Sequence, residues 1–166
     1  MIEDLINMIL KHDRVIIITE PNESLDRLLK IIMNYIGKDN YIEHNDDTEL
    51  FEDFLTINKH HDKRIVSTTL NVRLSNPSIT NSVFDDAKFI LPYRNMIRSS
   101  GLPHFPGNPH LPTKLLYKSD LVMSINQNIL SIDKIRNASY EYKINLENLF
   151  TSERNIKIRK LQKLIV

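Results

Sequence analysis

The apolar positions of the chain alternate between two rhythms. Ile2, Leu5, Ile6, Met8, Ile9 and Leu10 recur at helical spacing and predict an amphipathic helix over the first dozen residues, stopping near Lys11-His12-Asp13. Arg14 then opens Val15-Ile16-Ile17-Ile18-Thr19, a continuous β-branched run of the kind found in strands buried on both faces of a parallel sheet. After Glu20-Pro21-Asn22-Glu23-Ser24, the spacing of Leu25, Leu28, Leu29, Ile32, Met33 and Ile36 predicts a helix that Gly37 can end. Helix, buried strand, turn and helix begin an α/β pattern.

The alternation continues in shorter pieces. Tyr41-Ile42 reads as a short strand, and Thr48 as the cap of a helix through Leu50, Phe51, Phe54 and Leu55. Lys63 to Leu70 is rich in β-formers, a further helix is expected around Ile79 to Phe84, and Lys88 to Pro92 reads as a strand. Pro92 to Thr113 holds five of the 7 prolines and two of the 3 glycines, so it reads as a loop or lid. Leu121 to Ile125 and Ile129 to Ile132 flank Asn126-Gln127-Asn128, whose side chains tolerate turn geometry, and together they predict a β-hairpin. The second strand runs into Lys134-Ile135-Arg136, which an extended chain would project on one side. Tyr140 to Ile144 is one more strand, and Arg154 to Leu164 a C-terminal helix. The expected organisation is one α/β domain over residues 1–150, mainly a parallel sheet flanked by helices with a C-terminal antiparallel hairpin, followed by a basic amphipathic helix over 151–166.

Composition narrows the partners. With 22 Lys+Arg against 21 Asp+Glu, the net charge of +1 exerts no general pull on a polyanion, so any such contact must be local. The absence of cysteine excludes a disulfide scaffold, a thiolate zinc site and a cysteine nucleophile, and fits a reducing compartment. Met1 to Leu10 carries Glu3 and Asp4 rather than a basic start, and no apolar run approaches the roughly 20 residues of a membrane span, so the expectation is an intracellular protein without membrane partners.

Candidate chemistry outside this frame is thin. His60 and His61 are adjacent and would point apart, and His104 and His110 have no acidic partner at ligand spacing, so no metal site is expected. No G-x-S-x-G elbow supports a serine nucleophile. Glu43, Asp46, Asp47, Glu49, Glu52 and Asp53 read as a solvated acidic face. In the tail, Arg154, Lys157, Arg159 and Lys160 interleave with Ile156, Ile158 and Leu161; they can follow a phosphate backbone or simply leave the apolar face packed on the domain.

Several short motifs, in order, resemble the RecA-like ATPases that include replicative helicases and recombinases. Val15 to Thr19, the turn Glu20 to Ser24 and the helix from Leu25 stand in the order strand, phosphate loop, helix that opens such a core. Val66-Ser67-Thr68-Thr69-Leu70-Asn71 is similar to the strand leading into that superfamily's DNA-facing loop; Asn71 and Arg73 are candidates to touch single-stranded nucleic acid from a loop, the other reading being ordinary turn residues. Ser119-Asp120-Leu121-Val122 is similar to the family's Ala-Asp-Val-Val strand, and Lys134-Ile135-Arg136-Asn137 looks like its Lys-x-Arg finger motif. The resemblance spans Arg14 to Asn137 and implies that Lys134 and Arg136 reach the nucleotide of a neighbouring subunit, where fingers stabilise charge on the transferring phosphoryl group. The other reading of the pair is an exposed strand end whose cations keep an edge from aggregating.

The departures from the family are equally specific. A phosphate loop needs GxxxxGK followed by Ser or Thr, because glycines let successive N–H groups wrap the phosphates while the lysine reaches the outer ones. Laid on that motif, the glycines become Glu20 and Leu25, the lysine Asp26 and the hydroxyl residue Arg27, so the loop is anionic where the ligand would be. A rival register makes Thr19-Glu20 the strand bearing a water-activating glutamate, with the phosphate loop missing. Position 69 is Thr where the family has a nucleotide-sensing glutamine, and Phe54-Leu55-Thr56-Ile57-Asn58, inspected as an apolar strand ending in a magnesium ligand, ends in an amide.

The expectation is therefore a catalytically inactive RecA-like homologue, an accessory or regulatory subunit in DNA replication, recombination or packaging. It would act with a related ATPase subunit or with itself, with ATP only if shared with a partner subunit, and with single-stranded DNA as a further partner. The alternative is a non-enzymatic interaction scaffold using the Pro-rich loop or the basic tail.

Overall fold

The computed structural model describes residues 2–19, 22–45, 51–59, 61–68, 86–94 and 118–152. Its centre is a seven-stranded sheet, and each helix packs against one face of it. In chain order the elements are α1 (Ile2–Leu10), β1 (Arg14–Thr19), α2 (Glu23–Ile36), β2 (Tyr41–His44), α3 (Phe51–Asn58), β3 (Arg64–Ser67), β4 (Phe89–Arg94), β5 (Leu121–Asn126), β6 (Ile129–Ile135) and β7 (Ala138–Asn145).

Across the sheet the order is β2-β3-β4-β1-β5-β6-β7. The strands from β2 to β5 are parallel, and β6 and β7 continue antiparallel. The predicted hairpin is therefore part of a three-stranded meander whose first member is an interior strand, paired to β1 on one side and to β6 on the other. From β1 the chain runs through α2 to the far edge at β2, returns to β4, and resumes on the other side of β1 as β5. That makes β1 the strand at which the winding reverses, the position where open α/β sheets form their ligand crevice.

The β-branched run of β1 divides the core as expected of a doubly buried strand. Val15 and Ile17 join the cluster formed with α1, α2 and Leu146, Leu149 and Phe150. Ile16, on the opposite face, packs with Phe54 and Leu55 of α3 and with Phe89 and Leu91 of β4. At roughly 1.5–3 kcal/mol per fully buried aliphatic side chain, β1 anchors both halves of the core. Helix α2 ends where expected, because Gly37 adopts φ 86°, ψ 146° while its N–H still bonds to Met33 O at 3.0 Å. Arg64 is buried beside the end of α1 and donates to Leu10 O at 3.2 Å; burial lowers its pKa from the ordinary value, and the nearby Asp13 charge opposes that shift.

Phe54 to Asn58 is helical, within α3, as the spacing of Phe51, Phe54 and Leu55 predicts. Other expectations change. Pro92 does not open the irregular segment but lies inside β4, opposite Ile17 of β1. The sheet tolerates it because β3 pairs with β4 only as far as Val66↔Ile90, so the side of Pro92 that faces away from β1 has no ladder partner among the described residues. Residues 146–152 are helical, with Asn145 Oδ1 accepting from Glu147 N at 3.0 Å and Asn148 N at 3.4 Å, and Leu146 and Phe150 belong to the main core. Finally, Lys134 and Arg136 do not share one side of a strand, since β6 ends at Ile135 and Arg136 enters a two-residue turn at φ 54°.

Candidate functional site

The carboxyl ends of β1, β4 and β5 lie together, as Thr19 sits opposite both Arg94 and Ile125. Helix α2 starts at this end, where a phosphate loop would present its N–H groups. Here the helix start is closed by the protein itself. Asn22 is the N-cap, and its Oδ1 accepts the Ser24 N–H at 2.7 Å. The same side chain donates through Nδ2 to Gln127 O at 2.8 Å, and Ser24 Oγ donates to Asn128 Oδ1 at 2.7 Å. The turn between β5 and β6 is thus docked on the first turn of α2.

The residues matched to the phosphate-loop motif have other occupations. Leu25 is fully buried in the core. Asp26 is exposed in the acidic first turn beside Glu23 and uses its N–H on Asn22 O at 3.3 Å. Arg27 is half-buried, its guanidinium carbon 4.4 Å from the centroid of the Phe150 ring. With carboxylates where a lysine would face phosphate, and no glycine to free the backbone, this end does not form an anion cradle from the described residues. Glu20 lies outside the described residues, as do Asn71, Arg73, Arg154, Lys157, Arg159, Lys160, the Pro-rich segment 95–117 and the tail 153–166.

Lys134 and Arg136 are found at the opposite end of the sheet. Lys134 pairs with Val122 near the start of β5, about 16 Å along that strand from the docked turn at ~3.3 Å per residue. The half-buried Lys134 ammonium donates to Ser119 O at 3.3 Å, while the Arg136 side chain is exposed and its N–H donates to Asp120 O at 2.6 Å. Asp120 in turn ties β5 to β1. Its Oδ1 lies 3.1 Å from Arg14 Nη2, its Oδ2 accepts the Arg14 N–H at 3.0 Å, and its own N–H donates to Arg14 O at 2.9 Å. The finger-like pair is therefore mounted on a braced strand junction.

Beside that junction an open groove of about 800 Å³ runs between the end of α1 and the β6–β7 turn. Lys11, His12 and Asn7 line one wall, and Arg136, Asn137 and Tyr140 the other. His12 is buried and directs Nδ1 to Met8 O at 2.8 Å, which fixes its ring against α1. The sequence offered no signal for this groove, because α1 and the turn are brought together only by the sheet. The roles of Ser24 and Asn128 were equally hidden, although Asn22 before an amphipathic helix has the type of an N-cap.

Among the described residues no group of three or more His, Asp or Glu side chains is arranged to hold a metal, and no helix is long and apolar enough to cross a membrane. Neither a protein-family model nor a curated protein sequence matches this chain.

Proposed function

We propose that this chain is a catalytically inactive RecA-like ATPase homologue that serves as an accessory or regulatory subunit in DNA replication, recombination or packaging. In this role it contributes Lys134 and Arg136 to the nucleotide site of a competent ATPase and shares ATP only there. The observation that carries the reading is the separation of two features. At one end of the sheet the start of α2 is capped by Asn22 and covered by the β5–β6 turn. At the other end an exposed arginine stands next to an anchored lysine.

A finger that serves its own site must reach the start of its own α2. One that serves a neighbour should face away from it, as Arg136 does. Arg136 is then the reaching cation, and Lys134, tied to Ser119 O, holds the turn and adds positive charge. The position of β1 at the reversal of winding favours the register in which Glu20 to Arg27 is the lapsed phosphate loop.

The test has two parts. The isolated chain should neither bind nor turn over ATP, and turnover abolished by Asp26→Ala would overturn the inactive reading. An ATPase recovered with the chain from its native source should lose stimulation or inhibition when Lys134→Ala and Arg136→Ala are combined. Unchanged ATPase kinetics with that double variant would reject the finger role.

A further inference from the structure

The longest strand of the sheet is also its least covered. β7 spans 8 residues at the edge, and every one of them is exposed except the partly buried Ile144. The opposite edge, β2, is a strand of only 4 residues, a length that by itself discourages further pairing. β7 contains no proline, and no described residue pairs with its outer side. The N–H of Leu146 bonds to Asn128 O at 2.8 Å, so by alternation Ile144 and Tyr142 turn their backbone groups to β6 while Glu141 and Lys143 turn theirs outward.

The side chains along this edge are complementary to their own copy. Tyr140, Tyr142 and Ile144 share the face that looks toward α1, with Tyr142 opposite the buried Ile132. Glu141 and Lys143 share the other face. Two copies related by a twofold axis normal to the sheet can pair antiparallel only in registers two residues apart, because the side chains must stay on matching faces. Centring on Glu141 sets that carboxylate against its own copy, and centring on Lys143 does the same to the ammonium. The register between them, centred on Tyr142, sets Glu141 against Lys143 twice, Tyr142 against Tyr142, and Tyr140 against Ile144.

We infer that β7 is a homodimerisation edge, joining two copies antiparallel about Tyr142 into one continuous sheet. The exposed rings of Tyr140 and Tyr142, 47% and 59% accessible in the single chain, become cross-strand contacts. The shift in β6–β7 pairing between Ile132 and Lys134 bends the first residues of β7 and confines the new ladder to its centre. This inference rests on the edge strand and is independent of the nucleotide reading; a dimer would form without ATP and without any ATPase partner.

Sedimentation equilibrium of the full chain should show a concentration-dependent dimer. Glu141→Lys and Lys143→Glu, each on an exposed side chain, should weaken it roughly tenfold or more by turning both opposed pairs into like charges, and combining them should restore it. Because the chain has no cysteine, Tyr142→Cys supplies a single thiol that mild oxidation should link to its own copy, whereas Ile57→Cys on the exposed face of α3 should not link. A chain that stays monomeric at high concentration overturns the inference, and so does a dimer indifferent to both charge reversals.

Discussion

Ser24 Oγ donates to Asn128 Oδ1 at 2.7 Å across 104 residues of sequence, fastening the β5–β6 turn to the start of α2. With the neighbouring bond from Asn22 Nδ2 to Gln127 O, it makes the hairpin turn a cover over the place where a phosphate loop would open. Ser24 is buried while Asn128 is exposed, so the bond is shielded on one side only. Ser24→Ala and Asn128→Ala should each lower unfolding free energy by about 1 kcal/mol, and the double variant should lose less than the sum. Strict additivity in urea titrations would mean that the two side chains do not act on each other.

The Arg14–Asp120 junction makes a separate prediction for the other end of the sheet. Asp120→Ala removes an acceptor from the Arg14 N–H and an ion-pair partner from its guanidinium, and should cost about 1–2 kcal/mol. Both side chains are about a quarter exposed, so the charge contributes the smaller share. Asp120→Asn, which keeps an acceptor, should cost under about 1 kcal/mol, and high salt should remove most of that cost while leaving most of the alanine variant's.

Gly37 supplies a test of backbone strain. A Cβ there would find Asn40 Nδ2 at 3.5 Å, which is ordinary contact, so space does not forbid a side chain. The φ of 86° does, since with ψ 146° it lies where L-residues are strained. Gly37→Ala should therefore destabilise by about 1–2 kcal/mol, measured as a lower urea midpoint at unchanged slope.

Arg136 combines strain with its proposed function. It holds φ 54° in the β6–β7 turn, a conformation glycine adopts without cost. Arg136→Gly should leave the fold as stable or raise the melting temperature by about 2–4 °C, while removing the cation offered to a partner. Arg136→Ala should be close to neutral in stability. A clear drop in melting temperature for the glycine variant would show that the arginine side chain braces the turn.

The elements themselves were readable because they rest on local periodicity. α1, α2 and β1 appear almost as their apolar spacing predicts, and Gly37 ends α2 at a φ of 86° that glycine adopts without strain. Lys134 and Arg136 were legible as two cations after a hairpin, but their geometry was not. An extended chain would align Lys134 with Arg136, and the turn that separates them depends on β7 folding back on β6. The strand from Lys88 was legible as far as Pro92, but not its continuation to Arg94: a proline inside a strand is tolerated where its missing N–H falls beyond the pairing of a neighbouring strand, which the β3–β4 register reveals.

By itself the sequence determined an α/β chain with a doubly buried first strand, a following turn without glycine or lysine, and two cations after a hairpin. The tertiary structure decided where these stand. Strand order puts the start of α2 and the Lys134–Arg136 turn at opposite ends of one sheet, docks Asn128 on Ser24, and leaves β7 as the last strand among the described residues. Those relations join residues about a hundred positions apart, and spacing along a chain carries information only about neighbours within a few turns of helix or strand.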